Sequence, residues 1–193
     1  MRAFWTLLLG ACAGTFTGLA AGQEHMQHMA GMPSETPQVH QAVAVLVPIG
    51  NSGVQGTIYF TQQGDHVNIK GKIVGLKPGE HAMHVHEFGD LTDIEQGMTA
   101  GSHYNPTGMP HGHPTDQKRH AGDFGNITAD QNGVALLDMN DPVVQLNGPH
   151  SIIGRSLVVH ANPDKFTQPV GDAGPRVAVG VIGIAQPAEA NKK

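Results

Sequence analysis

The chain has a single cysteine, Cys12, among its 193 residues. Because this residue lies in the first apolar segment, residues 13–193 contain no thiol and cannot form an internal disulfide bond. Disulfides commonly stabilise small exported domains. A folded domain in this chain must therefore obtain its stability from other interactions.

Aromatic residues are also scarce, at 5%, and charged residues make up only 14% of the chain. The formal net charge is −5, and no run of lysines and arginines occurs, which argues against nucleic acid or an anionic membrane surface as a partner. Glycine is abundant, with 26 residues, and short runs of Val and Ile recur. This composition favours a turn-rich β protein of one domain.

The first 22 residues are typical of a secretory signal peptide. Met1-Arg2 form a short positive region, and residues 3–21 are apolar or small. Glycine and threonine interrupt this run, which argues against a membrane-spanning helix. We expect cleavage after Gly22 and export to the periplasm or the extracellular space. A second interpretation is a lipid anchor on Cys12, because residues 9–12 resemble a bacterial lipoprotein cleavage box.

Residues 23–40 have no periodic apolar pattern, and we interpret them as a flexible tail. The tail carries five imidazole and thioether donors: His25, Met26, His28, Met29 and Met32. Such soft donors suit Cu(I). Two interpretations stay open, because the tail either captures copper for the domain or is a linker with incidental donors. The C-terminal residues 187–193 are predicted to be mobile.

Eight short segments between residues 41 and 186 are predicted to be β-strands. They are apolar or alternate between apolar and polar residues, with turn residues between them. The predicted strands are residues 41–47, 53–62, 66–75, 81–88, 126–128, 134–137, 152–160 and 177–186. We interpret the first four as a meander and the pair around residues 130–133 as a hairpin. This succession indicates a β-sandwich or barrel, with a second long loop at residues 161–176.

Histidine is concentrated in the stretch from residue 84 to residue 123. The stretch contains six histidines and ends on an aspartate: His84, His86, His103, His111, His113, His120 and Asp123. His84 and His86 are two residues apart on a predicted strand, so their side chains point to the same face. Three histidines and one aspartate suit tetrahedral zinc, whereas histidines without thiolates suit copper. A single histidine of this kind is usually a surface or core residue, so the prediction of two metal sites depends on the whole constellation.

Five segments resemble the copper–zinc superoxide dismutases: HVHEFGD, GSHYNP, RHAGDFGNITAD, IIGRSLVVH and GPRVAVGVIGIAQ. The resemblance covers about residues 41–186 and implies an all-β fold, an eight-stranded antiparallel Greek-key barrel with two long functional loops. It implies one copper and one zinc ion per subunit. The implied copper ligands are His84, His86, His103 and His160, and the implied zinc ligands are His103, His111, His120 and Asp123. His103 would be shared between both ions.

The resemblance also implies roles for residues outside the ligand set. Asp164 matches an aspartate that bridges one copper histidine and one zinc histidine, here His84 and His111. Arg176 matches the arginine beside copper, which docks the superoxide anion. The implied activity is the disproportionation of superoxide to dioxygen and hydrogen peroxide, with His103 also passing a proton to the product. His81 matches a structural histidine, whereas His113 has no counterpart and is expected to be solvated.

The sequence departs from this family in two places. Gly97 and Val179 occupy the positions of the usual disulfide, which is therefore absent. The second loop is short and has Lys165 as its only lysine, which predicts a weaker dependence of the rate on ionic strength than in relatives whose second loop is richer in basic residues.

Two further expectations concern assembly and an alternative function. Residues 88–89, 153–154 and Ile184 match dimer contacts of the eukaryotic-type enzymes, which predicts a homodimer. The alternative function is a copper-binding or copper-delivery protein built on a dismutase-like barrel, favoured by the Met/His-rich tail and by the missing disulfide.

Overall fold

The computed structural model describes residues 38–186. These residues form eight strands: β1 Gln41–Pro48, β2 Gln55–Gln63, β3 His66–Val74, β4 Gly79–His86, β5 Asp123–Ala129, β6 Ala135–Asp141, β7 Ser156–His160 and β8 Arg176–Ile184. One 3₁₀ turn, Met98–Ala100, lies in the loop after β4. Within this part of the chain, no helix is long and apolar enough to cross a membrane. The predicted signal peptide, lipid-anchor site, Met/His-rich donors and C-terminal tail lie outside the described residues and stay predictions.

The strands form one antiparallel sheet in the order β5-β4-β7-β8-β1-β2-β3-β6. The two end strands, β5 and β6, lie beside each other, so the sheet is a nearly closed barrel. Non-consecutive neighbours such as β1 and β8 show that the chain crosses the barrel ends. The predicted all-β, eight-stranded Greek-key barrel is therefore confirmed.

Two of the predicted strand pairings are wrong. Only β1, β2 and β3 form a meander, because β4 pairs with β5 and β7. The strands around residues 130–133 do not form a hairpin ladder, since β5 pairs with β4 and β6 pairs with β3. Both connections cross the same end of the barrel, where the Leu76 amide donates to the Gly133 carbonyl at 3.2 Å. The local sequence pattern marks these turns but does not reveal which strands they join.

Some predicted strand bounds also change. The strand predicted at 152–160 begins at Ser156, because residues 152–155 form a turn in which Gly154 has a φ of 81°. Such a positive φ is readily adopted by glycine. Residue Ile152 in this turn is fully buried, so its apolar character reflects packing and not a strand.

Strand β4 carries two of the predicted metal ligands on its outer face. Met83 and Val85 point into the main core, as expected for one face of a strand. His84 and His86 point to the opposite face, yet they are also buried, at 0% and 1% exposure. The two long loops cover this outer face, and they create a second buried layer outside the barrel.

A smaller apolar cluster attaches the loop after β4 to the barrel wall. It contains Ile49, Ala100, Val158 and Val179, with Leu91 packed against it. Val179 occupies one of the two positions of the missing disulfide. Apolar contacts therefore hold the loop at the place where the family usually has a covalent link.

Candidate metal centre

The predicted ligands come together in two adjoining buried groups. We call the first the four-histidine cluster: His84, His86, His103 and His160. We call the second the three-histidine–aspartate cluster: His103, His111, His120 and Asp123. In each cluster the potential ligand atoms lie within 4.8 Å of one another. His103 belongs to both clusters, so one imidazole joins them.

The strand register brings together ligands that are far apart in the sequence. In the β4–β5 ladder His84 lies opposite Asp123, after an irregularity in the ladder. His86 forms an isolated bridge with His103 in the loop. His160 is the last residue of β7, which pairs with β4. The barrel therefore fixes both ends of the site, and the loop supplies the residues between them.

The atoms of the three-histidine–aspartate cluster fit a tetrahedral ion. The Asp123 carboxylate lies 3.0 Å from His103 Nδ1, 3.0 Å from His111 Nδ1 and 3.2 Å from His120 Nδ1. The Nδ1 atoms of His103 and His120 are 3.4 Å apart. Ligand atoms about 2.0 Å from a tetrahedral zinc ion are about 3.3 Å from each other. The donor set and its spacing therefore both suit zinc.

The four-histidine cluster presents three ring nitrogens without hydrogen-bond partners. His84 Nε2 lies 2.7 Å from Asp164 Oδ2, His86 Nδ1 lies 3.0 Å from the Gly101 carbonyl, and His160 Nδ1 lies 3.1 Å from the Gly174 carbonyl. Each of these nitrogens can donate its proton. The other ring nitrogens, His84 Nδ1, His86 Nε2 and His160 Nε2, are buried without a partner among the described residues. Since buried polar atoms are rarely unpartnered, three converging lone pairs fit a metal ion.

Asp164 links the two clusters from outside. Its two carboxylate oxygens lie 2.7 Å from His84 Nε2 and 3.0 Å from His111 Nε2. The Asn126 side chain accepts from the Asp164 amide and donates to its carbonyl. The Gln168 side chain pairs in the same way with the main chain of His111. The second loop is thereby attached both to β5 and to the loop between β4 and β5.

An open cavity of about 510 Å³ leads to the four-histidine cluster. Arg176 lines it together with His86, His103 and His160. The guanidinium group donates to the carbonyls of Gly97 and Gly101, which holds its charge at the cavity wall. Arg176 therefore lies where an anion approaching the cluster would pass.

The family model described as copper/zinc superoxide dismutase (SODC) matches residues 54–182. The chain belongs to the copper/zinc superoxide dismutase family. A solved structure described as the clock protein EA4 is similar to it, with 42% sequence identity and a TM-score of 0.73. That match covers 80% of this chain and 100% of the other chain.

The fold gives the predicted ligands contrasting electrostatic environments. Burial lowers the pKa of His103 to about 4 and that of His160 to about 3. Burial also lowers the pKa of His86 well below its ordinary value. These imidazoles are therefore neutral near pH 7 and ready to bind a cation. Burial would likewise lower the pKa of His111, but Asp123 and Asp164 raise it to about 9, so a metal must displace a proton there.

Among the residues that the structure describes, the cavity mouth carries little positive charge beyond Arg176. Lys165 pairs with Asp172 at 2.6 Å, and Asp172 itself lines the cavity. Glu95 also lines the cavity and is exposed. The loop's only lysine is therefore neutralised, and carboxylates balance the arginine at the rim.

The other histidines between residues 38 and 186 lie outside both clusters. His113 is exposed and bonds to Thr115, in agreement with its predicted solvation. His81 is buried, and its two ring nitrogens face the carbonyls of Lys77 and His160. His40, His66 and His150 belong to neither cluster.

Sequence reasoning missed a buried arginine that supports the zinc-type ligands. Arg119 lies 2.5 Å from the Asp141 carboxylate and donates to the carbonyls of His120, Ala121 and Asp123. It is only 3% exposed. Its position directly before His120 is the one signal that could have identified it, whereas no signal identifies Gln168.

Proposed function

We propose that the protein is a superoxide dismutase that converts two superoxide ions and two protons into dioxygen and hydrogen peroxide. One observation carries this proposal: the two clusters share His103, and the four-histidine cluster opens to a cavity lined by Arg176. A protein that only stores a metal needs neither the shared imidazole nor a fixed cation at the cavity wall.

The residues of the site have three roles in this proposal: metal binding, stabilisation of the anion's charge, and proton transfer. His84, His86, His103 and His160 would hold copper, and the three-histidine–aspartate cluster would hold zinc. When bound, copper supplies one-electron exchange with superoxide, whereas zinc is redox-silent. Arg176 docks the anion and stabilises its charge. His103 Nδ1 faces the zinc-type ligands, so Nε2 is the atom available on the copper side. In the state in which Nε2 does not bind copper, it would hold a proton and pass it to the product.

A copper-binding or copper-delivery role is the second candidate. The neutralised Lys165 and the exposed Glu95 at the cavity mouth favour it, because they do not attract an anionic substrate. The name of the similar solved structure, a clock protein, also shows that this fold is not always named for dismutation.

The test is superoxide disproportionation by the full chain loaded with copper and zinc, beside Arg176→Ala and Arg176→Lys variants. A unit charge about 6 Å from the anion, at an effective dielectric constant of about 40, contributes about 1.4 kcal/mol, or about tenfold in rate. We expect Arg176→Ala to lose about that factor and Arg176→Lys to lose less, at unchanged copper content. Arg155→Ala, outside the cavity lining, is the control. Full metal occupancy without activity would refute the enzyme and favour the carrier.

We further propose that the protein is an exported homodimer. Phe88, Val181 and Ile184 are 54%, 38% and 67% exposed in the single chain. Phe88 and Ile184, together with residues 89 and 153–154, match the dimer contacts expected from the family, and Val181 lies beside Gly89. Such a set of apolar side chains is better accommodated in an interface than in water.

A further inference from the structure

We propose that Met98 is the first capture ligand for Cu(I) on its way to the four-histidine cluster. The proposal extends the metal-binding part of the proposed function and does not depend on dismutation. The ligand that Met98 would bind is the monovalent copper ion itself.

The position of Met98 is the first argument. Its side chain lines the same cavity as His86, His103 and His160, and it is 60% exposed. Met98 is not among the residues packed in or against either apolar cluster. Met98 therefore presents a thioether to solvent at the mouth of the route to the cluster.

The main chain around Met98 is held on both sides. Its amide donates to the Asp93 carboxylate at 2.9 Å, and its carbonyl accepts from the Gly101 amide at 3.1 Å. The preceding carbonyl, of Gly97, accepts from Arg176, and Ala100 is anchored in the smaller apolar cluster. A fixed turn thus displays the thioether, so that an ion bound there stays close to the histidines.

The donor atoms along the cavity favour copper in its monovalent state at the entrance. Thioether sulfur is a soft donor that suits Cu(I), whereas Cu(II) prefers nitrogen and oxygen donors. Beyond Met98 lie His86 Nε2 and His160 Nε2, which have no hydrogen-bond partner within residues 38–186. Imidazole nitrogens bind both Cu(I) and Cu(II). Exposed Glu95 at the rim adds attraction for any cation. The order of donors along the cavity is therefore soft first and imidazole second.

The experiment measures the rate of copper loading into the zinc-loaded, copper-free full chain. Anaerobic Cu(I), supplied as its acetonitrile complex, and Cu(II) are added separately, and native mass spectrometry follows bound copper over time. Met98→Leu preserves the size and apolar character of the side chain but removes sulfur. Met109→Leu is the matched control, because Met109 is 38% exposed but does not line the cavity.

We expect Met98→Leu to load Cu(I) about fivefold more slowly, since capture raises the local concentration of the ion. Cu(II) loading, the final copper content and the Met109→Leu rates should be unchanged. Equal Cu(I) rates in wild type and Met98→Leu would overturn the proposal, and so would equal slowing of Cu(I) and Cu(II), which indicates a change in the shape of the mouth. Failure of wild type to bind copper at all would overturn this proposal and the metal assignment together.

A second measurement does not depend on rates. Titration of Ag(I), a redox-inert substitute for Cu(I), into methionine-methyl-labelled full chain should shift the Met98 methyl resonance before that of Met109. A Met98 resonance that moves no earlier than the Met109 resonance contradicts capture at the cavity mouth.

Discussion

Replacement of His86 by leucine should separate two effects of the metal site on stability. One is the destabilisation of the metal-free protein by a buried nitrogen, and the other is the stabilisation by bound copper. His86 is 1% exposed, and its Nε2 has no partner among the described residues. Its one hydrogen bond is donated by Nδ1 to the Gly101 carbonyl. That carbonyl also accepts from Arg176 at 2.5 Å, so His86→Leu leaves no acceptor without a donor.

The contacts of His86 determine the sign and size of the change in the free energy of unfolding that His86→Leu should cause. A buried polar atom without a partner costs about 1–3 kcal/mol, and an ordinary hydrogen bond contributes about 1 kcal/mol. In the metal-free protein, His86→Leu should therefore leave the free energy of unfolding unchanged or raise it by up to about 2 kcal/mol. In the copper-loaded protein, His86→Leu should instead lower the free energy of unfolding. Copper at about 1,000 times its dissociation constant stabilises by about 4 kcal/mol, and the variant loses much of that gain.

Scanning calorimetry of the full chain tests both signs. Wild type, His86→Leu and the control His66→Leu are compared in chelator, with zinc, and with zinc and copper. At about 2–4 °C per kcal/mol, copper should raise the wild-type Tm by about 8–16 °C beyond zinc alone and should raise that of His86→Leu far less. The reasoning is refuted if His86→Leu destabilises the metal-free protein by more than about 2 kcal/mol, or if copper stabilises it as much as wild type.

Three further outcomes are expected. Burial lowers the pKa of His103 to about 4 and that of His160 to about 3, from an ordinary 6.5. Below pH 6.5 the unfolded chain therefore binds protons that the folded chain does not. The Tm of the metal-free protein, measured by calorimetry, should fall as the pH is lowered from 7 to 5. The dismutation rate should depend less on ionic strength than in relatives whose second loop is richer in basic residues, and a steep fall in the rate with added salt contradicts this expectation. Glu95→Gln should raise the dismutation rate by up to about threefold in pulse radiolysis. The double variant Phe88→Glu/Ile184→Glu should sediment at half the mass of wild type, whereas a monomeric wild type at micromolar concentration contradicts the dimer.

Local patterns predicted the strands and the ligand candidates because both depend on short spacings. The i, i+2 histidines of β4 and the alternating segments are visible in the chain itself. Strand partners are not, since β4 pairs with β5 and β7 through contacts between distant residues. Asp164 was predicted only through resemblance to a family, and Gln168 was not predicted at all. Its two hydrogen bonds span 57 positions to His111 and follow from how the loops pack.

The thiol-free attachment of the loop near Gly97 has a consequence for maturation. Apolar contacts of Ala100 and Val179 hold this loop, and Arg176 bonds to its carbonyls. None of these interactions responds to glutathione or needs a disulfide isomerase. The barrel can therefore reach the same covalent state in a reducing or an oxidising compartment. Under the proposed function, metal supply and not thiol chemistry then decides when a newly made chain becomes active.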